Sequence, residues 1–334
     1  MRIGILGGHG HFTMRQLPGA EFAWAEDGFD SAATAQARAL GSSEVFPDPE
    51  RLLSEFAPEL VYVGSVYARN GSLAAWALER GLPVVTEKPM AADFQTLARI
   101  ARLTAAGPGI IAEHTIRWFP VIEKAREIVL AGRIGQPVMV QAQKSYKFGD
   151  HRPAFYGKRE LFGGTIPWVA IHAIDFAFRC AGLRYESVTA VHGNRSSPAY
   201  PEMEDFAAMT FTMEGGVPCL ITADFLRPAG ATSHGDDRLR ITGTDGVVEV
   251  VGEEVILITR HGEERFQLAV PSSLWGKVAR DLVDSALRRD DSMITPEECL
   301  HVTCAALAAR EAADTGRPQR IAGAFAIREG AFLP

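Results

Sequence analysis

Lys88 stands where an apolar run meets a proline, in Gly81-Leu82-Pro83-Val84-Val85-Thr86-Glu87-Lys88-Pro89. Proline pushes the residue before it toward extended backbone, so the chain carrying this amine is restrained. In an open α/β sheet, ligands bind beyond the carboxyl ends of the strands, which is where such a lysine belongs; the competing expectation is a solvated surface charge. A second group lies far downstream. The segment Ile166 to Phe178 is apolar almost all round and so expected to be a buried helix, and His172, Asp175 and Arg179, at spacings of three and four, fall on one stripe of it and its continuation. The stripe reads either as an imidazole aimed at a substrate or as a polar ladder inside a core, the second being preferred for Asp175. An amine and an imidazole are both groups that can take or give a substrate proton. Arg152, Tyr156, Lys158 and Arg159 precede the histidine helix in a loop from which they could reach substrate hydroxyls or a carboxylate, and Lys144, Tyr146 and Lys147 lie just upstream.

Gly4-Ile5-Leu6-Gly7-Gly8-His9-Gly10 reads as a strand running into a glycine turn, which lets backbone amides approach a pyrophosphate. Asp27 follows Gly7 by 20 residues at the end of the next apolar run, the place of an acid that binds the adenine ribose hydroxyls. The nearest arginine after it in sequence is Arg38, so a ribose 2′-phosphate would meet carboxylate repulsion, and NAD is favoured over NADP. The glycine pattern is incomplete: its third position falls on Phe12 or Thr13, and only about two helical turns fit before Pro18-Gly19. His9 and His11 read as loop histidines rather than metal ligands, since no third ligand is evident, and no metal is expected.

The elements around these residues alternate. Apolar strands at Arg2 to Leu6, Glu21 to Ala25, Leu60 to Gly64, Pro83 to Thr86 and Gly109 to Ala112 are separated by helical stretches such as Ala32 to Leu40 and Leu73 to Arg80, which predicts an α/β fold with a doubly wound parallel sheet. From about Arg117 the texture changes. A helix over Pro120 to Ala131 closes at Gly132, and a β-rich block runs from Pro137 to Ile258 with turn signals at Glu214-Gly215-Gly216 and Thr244-Asp245-Gly246, which predicts antiparallel hairpins. Helices over Trp275 to Arg288 and Pro296 to Thr315 follow, the second with proline at its start and Gly316 at its end. At 334 residues two domains are expected, a dinucleotide-binding domain over 1–115 and an α+β domain over 116–334 with a large, mainly antiparallel, open-faced sheet.

A chain that is 47% hydrophobic and 22% charged has the make-up of a soluble globular protein. A net charge of −7 without basic blocks argues against a nucleic-acid partner. No membrane-spanning run or signal peptide is read, so a cytoplasmic location is expected. The cysteines, Cys180, Cys219, Cys299 and Cys304, fit buried reduced thiols. Cys299 and His301 fall on different faces of their predicted helix, which argues against a metal site there.

With Glu87-Lys88-Pro89 placed after such a nucleotide unit, the chain resembles the Gfo/Idh/MocA family of NAD(P)-dependent oxidoreductases, which includes inositol and sugar dehydrogenases. The likeness covers nearly the whole length. It is carried also by Ser65 in the family's Thr-Pro position, Arg117-Trp118-Phe119-Pro120, Gly132-Arg133-Ile134-Gly135, Ile171-His172-Ala173-Ile174-Asp175 and Thr315-Gly316-Arg317-Pro318. The resemblance implies Lys88 and His172 as catalytic residues; Gly7, Gly8, His9, Gly10, Asp27, Ser65, Asn70 and Glu87 as cofactor contacts; and Lys88, Arg117, Arg152, Tyr156, Trp168 and His172 as substrate contacts. It implies hydride transfer between NAD(H) and a sugar, cyclitol or related polyol, in a homodimer or homotetramer joined through the second domain's sheet. The family's aspartate one turn before its histidine is Trp168 here, and a histidine common after the Thr-Pro position is Asn70. These departures raise a second expectation, a member with impaired chemistry that serves as a nucleotide- and sugar-binding sensor or scaffold.

Overall fold

The structure, a computed structural model, describes residues 1–42, 44–149, 152–288 and 293–330. Its contacts form two compact units: Met1–Glu113 with Ser272–Thr303 and a piece from Gly323, and His114–Pro271 with Cys304–Ala322.

The first unit is built on six parallel strands, β1 (Arg2–Leu6), β2 (Glu21–Ala25), β3 (Val45–Phe46), β4 (Leu60–Val63), β5 (Val84–Thr86) and β6 (Ile110–Ala112), in the order β3-β2-β1-β4-β5-β6. That is the dinucleotide-binding strand order, with the reversal of direction between β1 and β4. Three of the strands are short and largely apolar, with both faces covered: every residue of β4, β5 and the edge strand β6 is buried. Two of the unit's helices start at side-chain caps. Asp93 accepts from Thr96 N at 2.7 Å before Phe94–Ala106, while Thr295 and Glu298 exchange bonds of 3.1 and 3.2 Å as a capping box at Pro296–Thr315. The strand β3, only two residues long, carries no periodicity to read.

After the glycine turn there is a single 3₁₀ turn, Thr13–Gln16, where about two helical turns had room. Phe12 enters it with φ of 55° and its ring is buried between Trp24 and Tyr62, with centroids 4.8 and 5.6 Å away. Helix Leu274–Ala286, from the far end of the chain, packs on this turn and on β5 and β6.

The second unit has a nine-stranded sheet: β7 (Pro137–Tyr146), β8 (Tyr185–Gly193), β9 (Phe206–Met213), β10 (Val217–Asp224), β11 (Gly235–Gly243), β12 (Gly246–Val251), β13 (Glu254–Thr259), β14 (Gly262–Gln267) and β15 (Gln319–Arg320), in the order β14-β13-β12-β11-β7-β10-β9-β8-β15. Only β7 and β10 pair in parallel; the two predicted hairpins are β9–β10 and β11–β12. Helix Ile171–Ala181 packs on β7 and β10, and helix Pro120–Leu130 on β12 and β13. On the opposite face Gln141, Leu220 and Thr210 stand side by side and exposed.

The stretch Arg159–Ala181 is, by length and composition alone, long and apolar enough for a membrane span, contrary to the sequence reading; 94% of its most apolar window is buried in the structure, which marks it as a core segment. Ion pairs tie it to its neighbours. The guanidinium of Arg117, fully buried, meets both carboxylate oxygens of Asp175 at 2.6 to 2.8 Å, and Arg179 on the same helix pairs with Glu123 at 2.9 Å. Removing one partner of a buried pair strands a charge, whereas replacing both leaves none. Arg117→Ala should therefore cost about 3–5 kcal/mol in urea unfolding, and Arg117→Met with Asp175→Leu much less. Equal losses in the two proteins would show that the pair itself does not govern the packing.

Candidate functional site

The glycine turn of the first unit is held by its own backbone. Gly7, at φ of 83°, donates to Ala25 O at 3.1 Å, and His9 N donates to Gly64 O at 2.7 Å. A Cβ on Gly8 would lie 2.2 Å from the backbone of Ala32 and one on Gly10 2.6 Å from the Tyr62 hydroxyl, so the turn is pressed onto its neighbours and only glycine fits. The His9 imidazole lies 2.9 Å from Asp30. Asp27, just past β2, is buried; it accepts from the Ser65 hydroxyl and, at 2.8 Å, from Phe29 N. Asn70 accepts from Ser65 N at 2.9 Å, so Asp27, Ser65 and Asn70 form one connected set. Arg69, which the sequence distance concealed, donates to the Asp27 carbonyl at 2.8 Å and stacks over Phe29.

Glu87 and Lys88 follow β5. Glu87 is fully buried, and one of its oxygens accepts from His11 N at 2.5 Å, lies 2.5 Å from His11 Nδ1, and accepts from the Tyr62 hydroxyl at 3.1 Å. Glu113 occupies the matching place after β6. Because Thr86 pairs with Ala112 in the β5–β6 register, the next residue on each strand brings these two acids side by side; Glu113 N donates to Thr86 O at 2.9 Å, and Tyr62 Oη is 3.0 Å from Glu113 Oε2. His11, Glu87 and Glu113 each bring a ligand-capable atom within 4.8 Å of the others. Sequence reasoning set His11 aside for want of further ligands and passed over Tyr62 and Glu113. The available signal was an acid directly after each of two adjacent apolar strands. Lys88 is itself buried, at 2% exposure, not a solvated surface charge.

The charges in this cluster separate. Burial favours the neutral form of Glu87, but the charge and hydrogen bonds of His11 and the charge of Lys88 outweigh it and hold this carboxyl at about 2. Burial and the neighbouring Glu87 carboxylate push Glu113 well above the ordinary carboxylate range. Burial, then Glu113 and Glu87, likewise raise the Tyr62 phenol. The two neighbouring acids are thus pushed in opposite directions, Glu87 toward its ionised form and Glu113 toward its neutral one.

In the second unit, His172 lies on Ile171–Ala181, every residue of which is buried, and Trp168 is buried in the π-helical turn Ile166–Ala170 just before it. Tyr156 is buried and stacks on Phe162 with centroids 4.5 Å apart. Arg152 is half-buried against aromatic rings, whereas Arg117 faces Asp175 inside the core. Lys158 and Arg159 are taken up by Glu202 and by Glu204 and Asp314.

A protonated Glu113 has a consequence for stability. Above about pH 4.3 the unfolded chain releases this proton while the folded chain keeps it, so stability falls as pH rises toward the raised folded value. Glu113→Gln keeps the shape and needs no proton. Its thermal midpoint should decline less steeply than that of the parent as pH rises above about 4.3; parallel slopes from there upward would mean that the fold does not raise the Glu113 carboxyl.

Comparison with known proteins agrees with this geometry. A model of the oxidoreductase family's NAD-binding Rossmann fold matches residues 1–112, and one of the GFO/IDH/MocA C-terminal domain matches residues 122–249. Inositol 2-dehydrogenase 2 of Saccharopolyspora erythraea is 25% identical over 225 residues, which cover 65% of this chain and 64% of that enzyme. D-xylose 1-dehydrogenase (NADP(+)) 2 of Haloferax volcanii is 28% identical over 186 residues, 53% of this chain and 56% of that one. Both matches thus span less than two thirds of the relatives' own length. A solved oxidoreductase-family protein from Thermotoga maritima superposes with a TM-score of 0.87 at 32% identity, over 96% of this chain and 100% of its own. With both of its units matched in order, and a full-length structural relative beside them, the chain belongs to the Gfo/Idh/MocA family of oxidoreductases, whose first domain is an NAD-binding Rossmann fold.

Proposed function

We propose that this protein transfers a hydride between NAD(H) and a secondary alcohol or carbonyl of a sugar, cyclitol or related polyol. The observation that carries the reading is the placement of Lys88: a buried amine directly after a central strand of the parallel sheet, beside an ionised acid tied to the glycine turn. Inositol and xylose dehydrogenases among the relatives support the substrate class.

The turn suits a dinucleotide, since a side chain at Gly8 or Gly10 would collide with backbone or with Tyr62 and force the loop open. Gly7 and His9 spend their amides within the protein, so Gly8 and Gly10 would offer theirs to a diphosphate, with the loop side chain of His9 at its edge. Asp27, supported by Ser65 and Asn70, would hold the adenine ribose, and Glu87 would fix the turn from beneath. When bound, the nicotinamide takes or returns the hydride. Lys88 would either accept the hydroxyl proton or hydrogen-bond the substrate oxygen while His172 accepts it. Trp168 would present an apolar wall to the ring, and Arg152 and Tyr156 would bind its substituents. Arg117 would act through Asp175 by holding the histidine helix. Asp27 favours NAD; Arg69 beside it is the one feature that would ease a 2′-phosphate.

Lys88→Met should abolish turnover and leave calorimetric binding of NAD unchanged, with NADP binding at least tenfold weaker in both proteins. Normal turnover in the variant would refute the role of Lys88. Trp168, in the place of the family acid, favours a second reading as a sensor, and tight NAD binding without turnover over cyclitols, aldoses and sugar acids would support that one.

The open sheet face we assign to a homodimer or homotetramer contact. Val191 and Leu220, exposed at 62% and 42%, are apolar on that face. Light scattering should give a multiple of the 36.2 kDa chain mass, reduced by Leu220→Lys; a monomer at micromolar concentration would rule the contact out.

A further inference from the structure

The glycine turn and the ends of two strands bring one imidazole and two acids to the same place in the first unit. His11, from the turn, and Glu87 and Glu113, from the ends of β5 and β6, each set a ligand-capable atom within 4.8 Å of the other two. Both acids are buried, at 0% and 2% exposure. Glu87 Oε1 is engaged by His11 N, His11 Nδ1 and Tyr62 Oη, and Glu113 Oε2 lies 3.0 Å from the same hydroxyl. The second oxygen of each carboxyl, Glu87 Oε2 and Glu113 Oε1, has no hydrogen-bond partner among the described residues. Folded interiors rarely leave such an acceptor unmatched, and two of them on neighbouring carboxyls call for a positive species between the acids.

A proton can meet that need, and so can a metal dication. Three features favour the metal. Two carboxylates carry the charge that one dication cancels, and in a medium that screens little this attraction is strong. The donor set, one imidazole nitrogen with two carboxyl oxygens, suits zinc and its first-row neighbours, whereas Mg²⁺ and Ca²⁺ take oxygen donors. His11 faces solvent, its side chain 61% exposed above the buried Glu87, which gives an ion a way in. Ligands about 2.0–2.2 Å from one ion lie up to about 4.4 Å apart, so small side-chain rotations close the set. The ion would take the place of the hydrogen bond between His11 Nδ1 and Glu87 Oε1.

We propose that His11, Glu87 and Glu113 bind one transition-metal dication of the zinc type, which fastens the glycine turn to the ends of β5 and β6. Its role is structural: one ion ties together three segments that lie far apart in sequence, and water completes its coordination. Where no ion is bound, a proton on Glu113 separates the two acids instead. The site takes no part in hydride transfer, so the proposal stands or falls apart from the dehydrogenase reading.

The test uses the full chain without a polyhistidine tag, stripped with EDTA, incubated with ZnCl₂ and desalted before elemental analysis. About one zinc per chain should be retained, and loading should raise the melting temperature, since the ion binds the folded state. In competition with a fluorescent chelator, His11→Ala and Glu113→Gln, each checked by circular dichroism for an unchanged fold, should each weaken zinc binding about tenfold or more. His9→Ala, the neighbouring loop histidine, should keep it, and excess Mg²⁺ should not displace it. Retention of less than about half an equivalent by the parent would overturn the proposal and leave the shared proton. So would undiminished affinity in both His11→Ala and Glu113→Gln, or a loss in His9→Ala as large as in His11→Ala, which would mark a surface histidine site. Displacement by Mg²⁺ would overturn the class of metal.

Discussion

The first unit's site depends on one carboxylate that stays ionised without water. Glu87 is fully buried, yet its oxygen binds the backbone and ring of His11 from the glycine turn and the hydroxyl of Tyr62 from β4, while Lys88 supplies a charge from the next residue. A buried charge is tolerated only when such partners are close. The same bonds that keep Glu87 ionised therefore lock the turn after β1 to the ends of β4 and β5. Glu113 completes the arrangement by staying neutral, because two ionised carboxyls this near each other would repel in a medium that screens little.

This locking accounts for the turn's departure from the usual glycine pattern. With Phe12 turned into the core against Trp24 and Tyr62, the chain needs no glycine at the third position and forms one 3₁₀ turn where a helix would ordinarily begin. Leu274–Ala286, from far along the chain, packs on that turn. Anion binding at the turn would then fall to individual amides, with little contribution from a helix dipole, since a single turn sums few peptide dipoles.

The second unit follows the same electrostatic rule with two outcomes. In the core, Arg117 and Arg179 are matched by Asp175 and Glu123, which orients the helix carrying His172 without a net charge. At the end of β7, neutral carbonyls and ring faces hold Lys147 and Arg152 in place.

Local pattern alone determined the strand order's raw material: short apolar strands between helices, a glycine turn, hairpins at the glycine pairs, and the helix limits at Pro296 and Gly316. These depend on contacts between near neighbours, so the periodicity of two or 3.6 residues and the turn residues expose them. The pairing of Glu87 with Glu113, the reach of His11 and Tyr62 into it, the approach of Arg69 to Asp27 and the burial of Lys88 were decided by the tertiary structure. So were the partners of the basic residues: nothing in the sequence pairs Arg117 with Asp175, Lys158 with Glu202 or Arg159 with Glu204. The physical reason is that charge compensation acts over a few ångströms in space between residues tens of positions apart, and which residues become neighbours follows from strand register and helix packing, not from spacing along the chain.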